Sequence, residues 1–182
     1  MFDELLGKKT LIMGDVGKGK TRLTRELLIE AVGKGYASQI TVIDMAPKQF
    51  FIKGSAVGGK LLKPGEFNVR RLDAGDVKTP RLSARSPNEL VELAEHNRRI
   101  LERLLRKFKA SPSRILFIND VSLYLQRGSF DLLWSTLEMA ETAIVNGYYG
   151  EKLRDDLGTG LSERERRLME NLAAKVDILI RL

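Results

Sequence analysis

A chain of 182 residues, 43% of them hydrophobic, is one domain with material for its own core. The absence of cysteine excludes disulfides and thiolate metal sites, and a single histidine argues against a histidine-built zinc site. The 30% charged residues, net +7, admit nucleic acid or an acidic partner and suit a thermophile; with no apolar run near about 18 residues and no basic leader, a soluble cytoplasmic protein without membrane insertion is expected.

Met1 to Leu6 reads as a lead-in that packs Phe2 and Leu5 beneath a sheet. The apolar run Leu11-Ile-Met13 then meets Gly14-Asp-Val-Gly-Lys-Gly-Lys-Thr21, which fits G-x-x-x-x-G-K-T. Apolar residues at helical spacing follow at once: Leu23, Leu27, Leu28, Ala31 and Val32. Strand, glycine-rich loop and helix in this order make a P-loop. Its glycines let backbone N–H groups turn inward on a diphosphate, and the helix N-terminus adds the positive end of its dipole. The candidate nucleotide contacts are therefore Gly14, Asp15, Val16, Gly17, Lys18, Gly19, Lys20, Thr21 and Arg22. Lys20 reaches the outer phosphates as a catalytic cation, and the Thr21 hydroxyl ligates Mg²⁺.

Gly33-Lys-Gly35 stops the helix. Gln39-Ile-Thr-Val-Ile43 is a β-branched run suited to a buried parallel strand, and it ends on Asp44. Strand, helix, strand implies a right-handed crossover. An irregular insertion covers residues 45–85, with short strands at 50–52 and 67–72, the second the firmer. Gly58-Gly-Lys60 echoes a phosphate loop, but no helical pattern follows it.

Ser86-Pro-Asn-Glu89 opens a helix: Ser at the N-cap, Pro in the first turn, Glu three residues on. Apolar periodicity carries it to about residue 109, and its polar face bears Arg98, Arg99, Arg103, Arg106, Lys107 and Lys109. That face reads first as solvated, with pairs Glu95–Arg99 and Glu102–Arg106, and second as a nucleic-acid surface. After the break at Ser111-Pro-Ser113, Arg114-Ile-Leu-Phe-Ile118-Asn119-Asp120 is a strand running into an acid, the Walker B pattern. Lying beside the P-loop strand, it would bring Asp120 to the Mg²⁺ on Thr21. Asn119 holds the place where the acid usually stands. Either Asp120 serves the metal with the strand shifted by one residue, or Asn119 takes the metal side and Asp120 polarises water. Charge compensation favours Asp120 at the metal.

Residues 122–128 read as a loop at the same sheet edge, and Ser129 caps a helix over 130–141 in which Trp134 packs. Thr142-Ala-Ile-Val145 is a strand ending on Asn146-Gly147, where Asn146 either faces the γ-phosphate or makes a turn. A polar loop covers 148–160, Ser162-Glu-Arg-Glu165 is a second capping box for a helix to about Ala174, and 176–182 is a final strand.

This order of parts resembles the core of RecA/KaiC-type ATPases, most specifically over 14–21 and 114–120. The end of the chain, Leu172-Ala-Ala-Lys-Val-Asp-Ile-Leu-Ile180, is similar to the closing helix-to-strand turn of KaiC-like domains. The resemblance implies an α/β fold: a three-layer αβα sandwich with a mostly parallel sheet, its site at the strands' C-terminal edge. It also implies ATP with Mg²⁺, hydrolysis, and action as a homo-oligomer on a partner. The usual catalytic Glu is not evident; Asp44 and Asp73 are the nearest candidates for it, and Asp44 or Asp120 is expected to align water. Arg127 or Arg154 is the candidate arginine finger. An N-K-x-D guanine signature is absent, which favours ATP over GTP. Three functions follow: an ATPase first, then a small-molecule kinase or adenosyltransferase, then a non-catalytic nucleotide-binding module docked on nucleic acid.

Overall fold

Five short apolar runs, each with flanking polar or glycine residues, line up side by side as strands of one sheet. They are β1 (Lys9–Gly14), β2 (Ile40–Asp44), β6 (Ile115–Asn119), β7 (Thr142–Tyr148) and β8 (Ile178–Arg181). A sixth, β5 (Arg70–Asp73), joins at one edge, and β3 (Phe50–Ile52) with β4 (Ser55–Val57) forms a separate antiparallel hairpin. The computed structural model describes residues 1–48, 50–52 and 55–182, and side chains outside 49–57. The main sheet is parallel throughout, in the order β5-β2-β6-β7-β1-β8.

Alternation along each strand divides the core in two. Ile12, Val42, Phe117 and Ile144 face α1 (Lys20–Gly33) and the lead-in residues Phe2 and Leu5. Leu11, Met13, Ile43, Leu116, Ile118 and Val145 face the other layer. That layer holds α3 (Pro87–Ala110), α4 (Val121–Leu125), α5 (Phe130–Glu138) and α6 (Leu161–Lys175). Helices on both faces of a fully parallel sheet explain why these strands are continuous apolar runs. α2 (Pro80–Ser83) is a single turn leading into α3.

The caps follow the sequence closely at α3, where the Ser86 hydroxyl accepts from the Glu89 amide at 3.2 Å. Ser129 does the same for α5 through Leu132. Gly33 ends α1, and Gly35 turns away at φ +87°.

Several expectations are corrected. Residues 121–125 are helix rather than loop, because Val121, Leu123, Tyr124 and Leu125 all find the core. α5 stops at Glu138, and the firmer strand of the irregular segment lies at 70–73, as part of the main sheet. Glu165 is no capping residue: α6 starts at Leu161 after Gly160 at φ +77°, the Ser162 amide is held by Asp156, and the Glu165 side chain points inward. Nor does the strand bearing Asn119 lie beside β1. β7 sits between them and pairs with both.

Strand order places the crevice. β1 leads across the sheet to β2, whereas β7 leads past β1 to β8, so the connections leaving these two neighbours part to opposite faces. In open α/β sheets such a parting leaves a cleft at the strands' C-terminal ends, where ligands bind.

Candidate functional site

The glycine-rich loop after β1 sits at that cleft. Gly17 and Gly19 take φ +80° and +86°, conformations side chains resist, and a Cβ on either would meet nothing within 4 Å. The loop is anchored from behind. Asp15 accepts from the Val16 amide at 2.6 Å and the Glu151 amide at 3.1 Å, and Tyr149 N donates to Gly14 O at 3.0 Å. Gly150 leaves room for the Asp15 carboxyl, which a Cβ there would overlap. Burial alone would raise the Asp15 pKa; the amides of Glu151, Val16 and Lys152, with the Lys152 charge, outweigh it and hold the carboxyl below its usual value.

A cavity of about 250 Å³ opens in front of the loop. Val16, Gly17, Gly19, Lys20, Thr21 and Arg22 line it from one side, and Asp120, Asn146 and Tyr148 from the other. Gly14, Asp15 and Lys18 lie off this wall. Lys20 Nζ donates to Asp15 O at 2.7 Å, closing the amine onto its own loop. Burial pulls its pKa down, against the attraction of Asp120 and Asp15.

Of the pair at the end of β6, Asp120 faces the cavity and Asn119 does not. Asp120 sits in the left-handed region at φ 61°, ψ 57°, a strained turn that Asp tolerates better than most residues. Its carboxyl accepts from the Ser122 hydroxyl at 2.7 Å. Burial pushes it above the usual carboxylate range, opposed by Ser122 and by the charges of Lys20, Arg81 and Lys60.

Behind the wall runs a buried chain of amides and hydroxyls. Asn119 Nδ2 donates to Asp44 Oδ1 at 2.9 Å and to Gly59 O at 3.0 Å. Asn146 Nδ2 donates to Asn119 Oδ1 at 3.0 Å and Thr24 Oγ1 at 2.8 Å, and Asn146 Oδ1 accepts from the Asp120 amide at 2.9 Å. Thr24 Oγ1 donates onward to Lys20 O at 2.9 Å. Asn146 is therefore an interior residue of β7, and no turn forms at Asn146-Gly147. It lines the cavity while fixing the backbone of Asp120.

Asp44 stands apart from the water-aligning role expected of it. It does not line the cavity, and its oxygens are engaged by Asn119 and by the Leu61 amide at 2.8 Å. Burial raises its pKa, opposed by Asn119 and Lys60. Asp73 likewise holds Lys60, Arg71 and the Gly75 amide away from the cavity. The irregular segment nonetheless reaches the site, since Gly58 forms part of the lining.

Three residues that were not candidates for the site complete the region. Tyr148 is the buried last residue of β7, and its hydroxyl accepts from the Leu153 amide at 2.8 Å. Beyond it lies a second cavity of about 360 Å³, walled by Arg81, Tyr149, Leu153, Ser162 and Glu165. A small cavity of about 50 Å³ is lined by both Arg81 and Asp120 and shares Tyr148 and Leu153 with the other two. Arg81 and Glu165 form an ion pair at 3.0 Å with side chains 7% and 3% exposed.

The remaining candidates lie elsewhere. Arg127 is partly exposed beside Glu95, and Arg154 pairs with Glu151 at the rim of the larger cavity. On α3, Arg98 is shared between Glu95 and Glu102, and Arg99 lies 3.8 Å from Glu95. Two of the six cations on that basic face are thus paired with acids of their own helix. Among the described residues no group of three or more His, Cys, Asp or Glu is placed to hold a metal, so protein groups alone do not make a metal cage. One hydroxyl and one carboxylate on a cavity wall do suit Mg²⁺, which is commonly held by a few protein oxygens plus phosphate. Among the described residues no helix is long and apolar enough to cross a membrane. No protein-family model matches the chain, and no curated protein matches it.

Proposed function

We propose that the protein binds ATP with Mg²⁺ at the 14–21 loop and hydrolyses it slowly, as a P-loop nucleoside triphosphatase of RecA/KaiC-like type. The observation that carries this reading is the meeting of Lys20, Thr21 and Asp120, a hundred residues apart, on one cavity beside Gly17 and Gly19. Amides of the loop and the first turn of α1 bind the phosphates, with the helix dipole adding to them. Lys20 exchanges the carbonyl of Asp15 for phosphate oxygen and stabilises the charge that builds on it during transfer. Thr21 and Asp120 hold Mg²⁺, which when bound offsets phosphate charge. Asp120 is also the sole carboxylate among the described lining residues and positions water. With no glutamate among the described lining residues, turnover is expected to be slow.

Isothermal titration with ATP and Mg²⁺ tests this. Wild-type protein binds, and Lys20→Ala loses affinity by at least about tenfold, since charge-assisted hydrogen bonds contribute about 1.5–3 kcal/mol. Equal affinities in the two would overturn it.

A second reading, a small-molecule kinase or adenosyltransferase, is favoured by one observation. The 360 Å³ cavity adjoins the nucleotide cavity across Tyr148 and Leu153 and falls in the size range of ligand pockets. ADP or triphosphate release that depends on an added metabolite supports it; phosphate release needing only water counts against it.

A further inference from the structure

We propose that Arg81 reads the nucleotide state, leaving Glu165 for the terminal phosphate of a bound triphosphate and returning to it when only a diphosphate is present. This rests on the nucleotide site proposed above. Arg81 belongs to none of the phosphate-binding elements; it comes from α2, between the sheet edge and α3. Its guanidinium lies 5.2 Å from the centre of the Tyr148 ring, and the Lys20 ammonium lies 6.0 Å from the same centre. It lines the small 50 Å³ cavity together with Asp120, and its charge already acts on that carboxyl.

The described lining is short of cations. Of the described lining residues only Lys20 and Arg22 are basic, and the Arg22 side chain is 82% exposed, where water screens it. A triphosphate leaves net negative charge after Mg²⁺ and Lys20, so the nearest buried cation is drawn to it. A diphosphate leaves less charge, farther from Arg81.

The parking place is built to release it. Arg81 Nη2 donates to Glu165 Oε1 at 3.0 Å, and Nη1 to Ser162 Oγ at 3.2 Å. Glu165 has a second partner, Gln126 Nε2 at 2.8 Å, which stays when Arg81 goes. Gln126 Oε1, in a fully buried side chain lining the small 50 Å³ cavity, has no partner among the described residues. An acceptor left unpaired there is one that a moving donor such as Arg81 satisfies in passing. Stranding an ionised Glu165 would be costly, but burial raises it to about 7, despite Arg81 and Gln126 and with the Asp120 charge adding to the rise. Facing Arg81, Gln126, Asp120 and Tyr148, it takes up a proton as the guanidinium leaves.

The test is titration with AMP-PNP·Mg²⁺ and with ADP·Mg²⁺, in two buffers of different ionisation enthalpy. The variants are wild type, Arg81→Lys, and Arg81→Gln combined with Glu165→Gln, which leaves no unpaired charge. Circular dichroism verifies that each is folded. Wild type is expected to take up protons on binding AMP-PNP but not ADP. The double variant should lose about tenfold in AMP-PNP affinity, keep ADP affinity within about twofold, and show no proton uptake. Equal losses for both nucleotides, or no loss for either, would overturn the role of Arg81 alone. Failure of wild type to bind either nucleotide would remove the nucleotide site and this inference with it.

Discussion

Asn146→Ala tests the buried polar chain that carries the candidate site. The side chain is 1% exposed and makes three hydrogen bonds, to Thr24, Asn119 and the Asp120 amide. Truncation leaves Asn119 Oδ1 and the Asp120 N–H without partners, while Thr24 still donates to Lys20 O. Each orphaned buried group costs about 1–3 kcal/mol. Water entering the polar space left behind recovers part of this, so the loss should be near 3 kcal/mol rather than the upper sum. With slopes of about 1–3 kcal/mol/M, the urea midpoint should fall by at least about 1 M with no change in slope. Nucleotide affinity should fall as well, because Asp120 loses the partner that fixes its left-handed backbone. A stability loss under about 1 kcal/mol would show that the chain is not what holds β6, β7 and α1 together at this end.

Two further expectations concern parts of the fold around the site. The folded-state rise of Glu165 from 4.5 to about 7 contributes stability that is complete below pH 4.5 and lost as pH rises through 7. Wild type measured against Glu165→Gln should therefore lose about 3 kcal/mol between about pH 4 and pH 8; a flat difference would refute the burial argument. Gly128→Ala should destabilise by about 1–3 kcal/mol, because a Cβ there would overlap the ring of the fully buried Tyr124. In a Tyr124→Leu background the same change should cost much less, and simple additivity of the two would contradict the clash.

How much of this was legible depends on how many independent signals met at a position. The 14–21 loop had a strand before it, a helix after it and a spaced glycine pattern, and Ser86 with Pro87 and Glu89 announced α3 three times over. Asn146 was legible as a residue of interest but not as a strand interior, since Asn-Gly is also the commonest turn dipeptide. Stopping the strand there sent Tyr148 into a loop, although it is the buried wall of every cavity in the region. Glu165 was hidden by a local pattern: Ser and Glu three residues apart fit a cap, and only packing against Arg81 and Gln126 turns the carboxyl inward. Arg81 lies in a one-turn helix with no periodicity to mark it. Asp44 shows the opposite failure, an acid at a strand end that suits catalysis by position but is spent on holding Asn119 and Leu61. Strand order was not legible at all, because runs of apolar β-branched residues say nothing about which neighbour each will pair with.

The most direct test is a crystal structure of the protein grown with AMP-PNP and Mg²⁺. If residues 16–21 hold the phosphates, Lys20 Nζ will have left Asp15 O for a phosphate oxygen, with the metal between the Thr21 hydroxyl and the Asp120 carboxylate. Lys20 still bonded to Asp15, with the nucleotide elsewhere or Asp120 turned away from the metal, would contradict the assignment.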